Sequence, residues 1–248
     1  MLKGLLSAFS AFFSVIPHLF KGKKKVFFLI PGFAGLLFSI LYAYGAYTFA
    51  PQVGEALIDF LSWRETSDYQ TYLASTFAWI SLIAIYLLLF KYVVLIISAP
   101  FMSFYSESIE AELSPKAKAS TWSWKNIMVD IWRSLRINLR NVIRELFLLL
   151  SLLLLSLIPA VSPFSSFLIV LVSAYYIGFG HMDYTLERHL NYKDTIQFVR
   201  DNRGVALGIG LGYLIIYALP IAGFFLATPF ATAAATQATV GKLNASSS

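Results

Sequence analysis

Residues 69–112 read YQTYLASTFAWISLIAIYLLLFKYVVLIISAPFMSFYSESIEAE, and this stretch decides the fold. Its first 22 residues, Tyr69 to Phe90, carry no charge. As a helix they span roughly 33 Å, enough to cross the hydrocarbon core of a bilayer. Lys91 interrupts the run, and Tyr92 to Ser106 resumes it with Ser98-Ala99-Pro100-Phe101 in the middle. Carboxylates then appear at helical spacing, Glu107 and Glu110, with Glu112 close behind. The pattern predicts a membrane span that continues past the interface, bends at Pro100 and emerges as an acidic helix.

Working outward, the 248-residue chain is 58% hydrophobic and only 13% charged, with a mean hydropathy of +0.70. Soluble domains carry about 25% charged residues, so the composition is that of a membrane protein. There is no cysteine, which excludes disulfides, thiolate metal sites and cysteine nucleophiles. The net charge is +6, and its placement matters more than its total. No cleavable signal peptide is expected, because the apolar N-terminal section leads into a basic cluster with no small-residue cleavage pattern.

Upstream of the central stretch, Leu5, Phe9, Phe12, Phe13 and Ile16 lie at helical spacing and predict an interfacial helix over 1–22. Lys21-Gly22-Lys23-Lys24-Lys25 then precedes an uncharged run from Val26 to Ala50, the first span, with Pro31 in its opening turns. Pro51 to Asp68 is polar and acidic. Downstream, Arg133, Arg136, Arg140 and Arg144 fall three or four residues apart on one stripe of an amphipathic helix. That stripe suits arginines snorkelling to lipid phosphates, or a ladder guiding an anion. Leu146–Met182 and Gly204–Gly241 are long uncharged runs broken at Pro159 and Pro163 and at Pro220 and Pro229. Each run forms either two short spans or a hairpin that enters the bilayer part-way and returns. Between them lies the polar segment Asp183–Arg203.

Lys and Arg number five in residues 1–25, one in 51–68, seven in 107–145 and four in 183–203. This alternation places both termini and the arginine helix on the cytoplasmic side and the Pro51 loop outside, and it requires both hairpins to return to the side they left.

Few motifs carry chemistry. His181 and His189, with Asp183 between them, lack any zinc-protease spacing, so interfacial structural roles are expected rather than a metal site. Gly208, Gly210 and Gly212 lie in an apolar run with no preceding strand, which excludes a dinucleotide loop. Gly204, Gly208 and Gly212 form small-xxx-small steps that permit close helix packing. No catalytic residues, nucleotide motif, cofactor, metal or nucleic-acid site is indicated. Gly22, Lys23, Lys24 and Lys25, at the start of the first span, combine close backbone approach, helix-terminal N–H groups and ammonium charge. They are the candidate substrate-binding residues for an anion, against ordinary positive-inside anchoring. Glu107 and Glu110 are expected to pair with bases of the Arg133–Arg144 stripe, or with Arg188, Arg200 or Arg203, because unpaired carboxylates would repel an anion.

Ser98-Ala99-Pro100-Phe101 followed by Glu107 and Glu110 resembles the helix signature of CysZ-type sulfate permeases and their etoposide-induced-2.4-like relatives. Phe27-Phe28-Leu29-Ile30-Pro31 after a basic cluster is similar to that family's first span. Asp183-Tyr184 with His189 is similar to its polar segment, and Ala218-Leu219-Pro220 with Pro229 to its C-terminal hairpin. The resemblance covers nearly the whole chain in order. It implies a bacterial inner-membrane protein that forms homo-oligomers and takes up sulfate or a similar small oxyanion for cysteine biosynthesis. The family's Gly-x-Arg-Arg-like anion group falls here on Lys25 and Val26. Lysine is a point charge without arginine's bidentate fork, and valine offers no donor.

The resulting expectation is an all-α integral membrane protein with two long transmembrane helices and two hydrophobic helical hairpins, partly or fully inserted. It forms a single membrane domain over 1–248: an interfacial helix at 1–22, two long spans at 23–112, cytoplasmic basic segments around the first hairpin at 113–203, a second hairpin at 204–241 and a disordered tail at 242–248. Helices are expected near 3–20, 23–49, 70–111, 124–158, 164–190 and 204–240, the last broken at Pro220. Two functions remain open: an anion transporter or channel working without ATP, and a membrane-shaping scaffold with no permeation path.

Overall fold

The computed structural model describes residues 1–19, 21–60, 68–114 and 124–246, with the side chains of 22–23, 84, 87–88, 91–92, 95–96, 124–131, 134 and 246 left aside. The described residues are helical almost throughout, with no strand among them. In order they form α1 (Leu2–Ser14), α2 (Ile16–Leu19), a 3₁₀ segment (Gly22–Phe28), α3 (Leu29–Phe60), α4 (Asp68–Leu113), α5 (Trp124–Ser156), α6 (Ser162–Leu186), α7 (Tyr192–Asp201), α8 (Arg203–Tyr217) and α9 (Ala222–Ser246). Among the described residues two stretches are long and apolar enough to cross a membrane, Lys24–Phe60 and Ser162–Leu186. α1 and α8 are shorter apolar helices.

The helix expected to end near Ala50 instead runs through Pro51 to Phe60. Val53, Ala56, Leu57 and Phe60 keep an apolar helical spacing beyond the proline, and small Ala50 precedes its ring. Pro100 likewise lies inside α4, which continues to Leu113. The proposed 164–190 helix stops at Leu186, and a separate α7 follows. Asn191 caps α7, its Oδ1 accepting from the N–H groups of Lys193 and Asp194 at 3.0 and 3.1 Å. The tail expected to be disordered from 242 is helical to Ser246. Both proline breaks fall where the sequence puts them, between α5 and α6 and between α8 and α9. The second is the tighter: Ile221 adopts φ 57°, a left-handed conformation that β-branched residues disfavour.

The chain divides into two compact units, residues 32–97 and residues 1–31 with 98–248. Within the first, α3 and α4 run antiparallel through an aromatic cluster. Phe38 stacks on Tyr86 at 5.9 Å, Ser39 and Tyr86 share a 2.7 Å hydrogen bond, and the Tyr42 hydroxyl donates to the Leu82 carbonyl at 2.7 Å.

The second unit is built on α8, which is buried from Gly204 to Gly210. Gly204 faces Met1, which caps α1, and Gly208 and Gly212 face Ala8 and Phe12 of α1; a Cβ on Gly208 would sit 2.6 Å from that of Ala8. Gly210 and Gly178 let α6 and α8 meet backbone to backbone, at Ala174 and Ala206. α1 is therefore not a helix lying alone on a surface. Its Ala8, Ala11, Phe12 and Val15 are core residues, seated in the groove that the missing glycine side chains leave open. Leu2, Leu6 and Phe13 form an exposed stripe on its other side.

Candidate functional site

The basic segment before α3 is not an open row of ammonium groups. Lys24 is buried, and its Nζ donates to Glu112 Oε1 at 2.6 Å. His18 Nδ1 lies 2.7 Å from Glu112 Oε2, and Lys21 Nζ lies 4.0 Å from it. Burial pushes the Glu112 carboxyl up, but hydrogen bonds from Lys24 and His18 and the charges of Lys24 and Lys21 outweigh it and hold the group below the usual carboxylate range. Lys25 is exposed, and the side chain of Lys23 lies outside the described residues. The four predicted substrate-binding residues are thus adjacent in one 3₁₀ segment, with Lys24 turned to a carboxylate. Nothing in the sequence announces this contact, because Glu112 is 88 residues away.

Two residues earlier on α4, Glu110 forms a second clamp. Its Oε2 accepts from Arg188 Nε at 3.1 Å and Nη2 at 2.7 Å, and its Oε1 meets His189 Nε2 at 2.6 Å. Arg188 also donates to the carbonyls of Tyr184 at 2.6 Å and Ser103 at 3.4 Å and to Ser106 Oγ at 2.8 Å. All five guanidinium donors therefore have acceptors. Burial raises the Glu110 carboxyl, yet hydrogen bonds from His189 and Arg188 and their charges bring it below its ordinary value. Arg188 was among the bases expected for this role. His189 was not, and its structural role here is a hydrogen bond to the same carboxylate. Of the other motif residues, Ser98 is buried, Pro100 and Glu107 are half-buried, and Phe101 is exposed.

Beyond Arg188 the polar contacts continue inward. Ser106 Oγ lies 2.9 Å from the hydroxyls of both Thr185 and Thr236, and Thr185 donates to Thr236 at 3.1 Å. One turn away, His181 Nδ1 is 3.1 Å from Thr232 Oγ1. Its ring lies against those of Tyr184 and Tyr213. His181 is fully buried. The spacing of Thr228, Thr232 and Thr236 at every fourth residue was a legible sign of one hydroxyl-bearing helix face. Arg133 also points inward, its Nη1 3.3 Å from buried Asp183 and its Nη2 donating to Thr195 at 2.6 Å. This member of the arginine stripe therefore serves neither lipid nor ladder. No group of three or more His, Cys, Asp or Glu residues suited to a metal ion occurs among the described residues, and His181 and His189 have separate partners.

These features define an all-helical protein with membrane-length apolar helices, in which buried carboxylates on α4 and α6 are each closed by cationic side chains. Residues 11–227 match the family model described as Sulfate transporter CysZ/Etoposide-induced protein 2.4, and the chain belongs to that family. Proteins named Sulfate transporter CysZ from Pseudomonas aeruginosa and Pseudomonas paraeruginosa are each 26% identical to it over 214 residues, covering 86% of this chain and 85% of the relative. One of the same name from Pseudomonas fluorescens is 28% identical over 142 residues, 57% of each chain. The family is named for transport and not for an enzyme activity.

Proposed function

We propose that the protein is a multi-pass bacterial inner-membrane transporter or channel for sulfate or a similar small oxyanion, with both termini cytoplasmic, working as a homo-oligomer and supplying sulfate for cysteine biosynthesis. Membership of a family whose relatives are named sulfate transporters supports it. The observation that carries it structurally is charge cancellation: Glu110, Glu112 and Asp183 are each paired with a base. The pairing keeps these three carboxylates from repelling an approaching anion. Gly22, Lys23, Lys24 and Lys25 form the entry. Lys25 supplies the exposed ammonium, and Lys24 is held ready by Glu112.

Vesicles reconstituted with the protein should take up radiolabelled sulfate faster than empty ones. The triple change Lys23→Ala, Lys24→Ala, Lys25→Ala should reduce the flux per folded protein, and Lys25→Ala alone, at an exposed position, should reduce it at unchanged folded yield. Flux that survives the triple change removes the proposed entry. No flux from folded wild-type protein favours a membrane-shaping scaffold, for which the apolar hairpins would suffice as wedges.

A further inference from the structure

Helix α5 carries two rows side by side. Trp132, Leu135, Leu139, Ile143 and Phe147 form an exposed apolar row. Arg136, Arg140 and Arg144 occupy the strip between that row and the packed face marked by buried Ile137, Asn141 and Glu145. The Arg136 guanidinium carbon lies 4.7 Å over the Tyr192 ring of α7, a stacking that leaves the edge N–H donors available. Arg140 gives one donor to Asn141 Oδ1 at 2.8 Å.

Two more arginines join this strip from another part of the chain. Arg200 and Arg203, both exposed, flank Asn202 at the α7–α8 junction. The charges of Arg140, Arg200 and Arg203 all act on the Tyr175 hydroxyl of α6, and those of Arg144 and Arg140 on Tyr176. Among the described residues no carboxylate lies within ion-pair distance of any of these five arginines, whereas Arg133 and Arg188 are each closed on one. Nearby carboxylates have other partners: Asp194 accepts from Asn191, and Asp201 from Gln197. Burial and the neighbouring Arg144 both push the Arg140 guanidinium down from its ordinary range, so these two neighbours act on each other as like charges.

We propose that this surface binds the phosphate headgroup of an anionic phospholipid, whose acyl chains lie along the exposed row of α5. The ligand class follows from the two rows together. Guanidinium forks and tyrosine hydroxyls suit a phosphodiester. A free inorganic oxyanion would use the arginines and have no use for the apolar row. Basic surfaces beside membrane-inserted helices hold anionic headgroups in this way. The site is separate from the anion entry at Lys25, and it stands whether or not the protein moves sulfate.

The test uses the purified full chain in a neutral detergent, titrated with phosphatidylglycerol or phosphatidylcholine in mixed micelles, with retained lipid counted by native mass spectrometry. Wild type should retain phosphatidylglycerol in clear preference. Arg140→Gln with Arg200→Gln should weaken that retention by roughly 25-fold, about fivefold for each arginine. Equal retention of both lipids by wild type, or undiminished retention by the folded double variant, overturns the proposal. So does inorganic phosphate or sulfate competing the lipid away at matched concentration, which would make the surface a free-oxyanion site. If the double variant does not fold, raising sodium chloride from about 0.1 to about 0.5 M must itself reduce the wild-type preference, and a preference insensitive to salt overturns the proposal equally. Lost lipid preference with intact sulfate flux would separate this site from the transport reading.

Discussion

Glu110 shows how a membrane-facing fold tolerates a buried acid. Its side chain is 6% exposed, and Arg188 and His189 offset its lost hydration. Breaking such a pair leaves a buried guanidinium uncompensated, which costs about 3 kcal/mol or more. Glu110→Gln should therefore lower the melting temperature in detergent, and Arg188→Lys should do so less, because an ammonium keeps the charge and loses the fork. The pH dependence has a definite sign. The folded carboxyl titrates below the ordinary value of about 4.3, so its stabilisation is fully present above that value and is lost as pH falls through the folded one. Melting temperatures of wild type and Glu110→Gln, measured from neutral pH downwards, should converge as the medium becomes acidic. A gap that has not narrowed by the pH at which wild type itself unfolds in acid would show that the ionised form is not what Arg188 holds. Glu112 behaves with the same sign, but it is common to both proteins and cancels in the difference.

At the scale of elements, α8 is held by what it lacks. A Cβ on Gly210 would fall inside the carbonyl of Ala174, and one on Gly178 inside that of Ala206. Both obstacles are backbone, so the helices themselves would have to move apart. Gly210→Ala should destabilise by about 3 kcal/mol or more, read as a lower melting temperature and reduced folded yield. Gly45→Ala in α3 meets nothing within 4 Å and should change stability by less than about 1 kcal/mol, in the stabilising direction, because alanine is the better helix former. If the two substitutions behave alike, close α6–α8 packing does not hold the unit together. The glycine spacing at 204, 208 and 212 was legible in the sequence as a packing face. Its partner was not, since Gly4, Ala8 and Phe12 lie about two hundred residues earlier and carry no mark of where they dock. The same limit applied to Lys24, whose charge was visible and whose carboxylate was not. Proline breaks at 159 and 220 were legible because a missing N–H acts locally. Pro51 was misread because an apolar helical spacing on its far side outweighs one lost hydrogen bond. The Asn191 cap is present in the sequence, with Asp194 at its third position, but the charge-rich stretch after 190 shows no long apolar run to mark a further helix.

For the whole molecule, the question of scale is how deep the two proline-tipped hairpins reach. From Arg144, the last charged residue but one before the tip, α5 continues for 12 residues to Ser156, roughly 18 Å at helical rise. α8 runs 15 residues from Arg203 to Tyr217, roughly 22 Å. Both fall short of the roughly 30 Å hydrocarbon thickness, although both tips are apolar and exposed, at Leu157, Ile158, Phe164, Leu219 and Ile221. A short arm with an apolar tip is suited to entering one leaflet and turning back, with its arginine and tyrosine side chains level with the headgroups. The positive-inside count requires the same return, because the segments on both sides of each hairpin are basic. The chain has no cysteine, so single reporters can be placed cleanly. Ile158→Cys and Leu219→Cys should each resist an impermeant thiol reagent added outside intact cells and react fully once detergent dissolves the bilayer. Labelling from outside at either position would mean that this hairpin crosses completely. If the residues beyond the tip end on the cytoplasmic side, as the basic-residue count predicts, its second arm would then have to recross, which the 25 residues of α6 and of α9 are long enough to do.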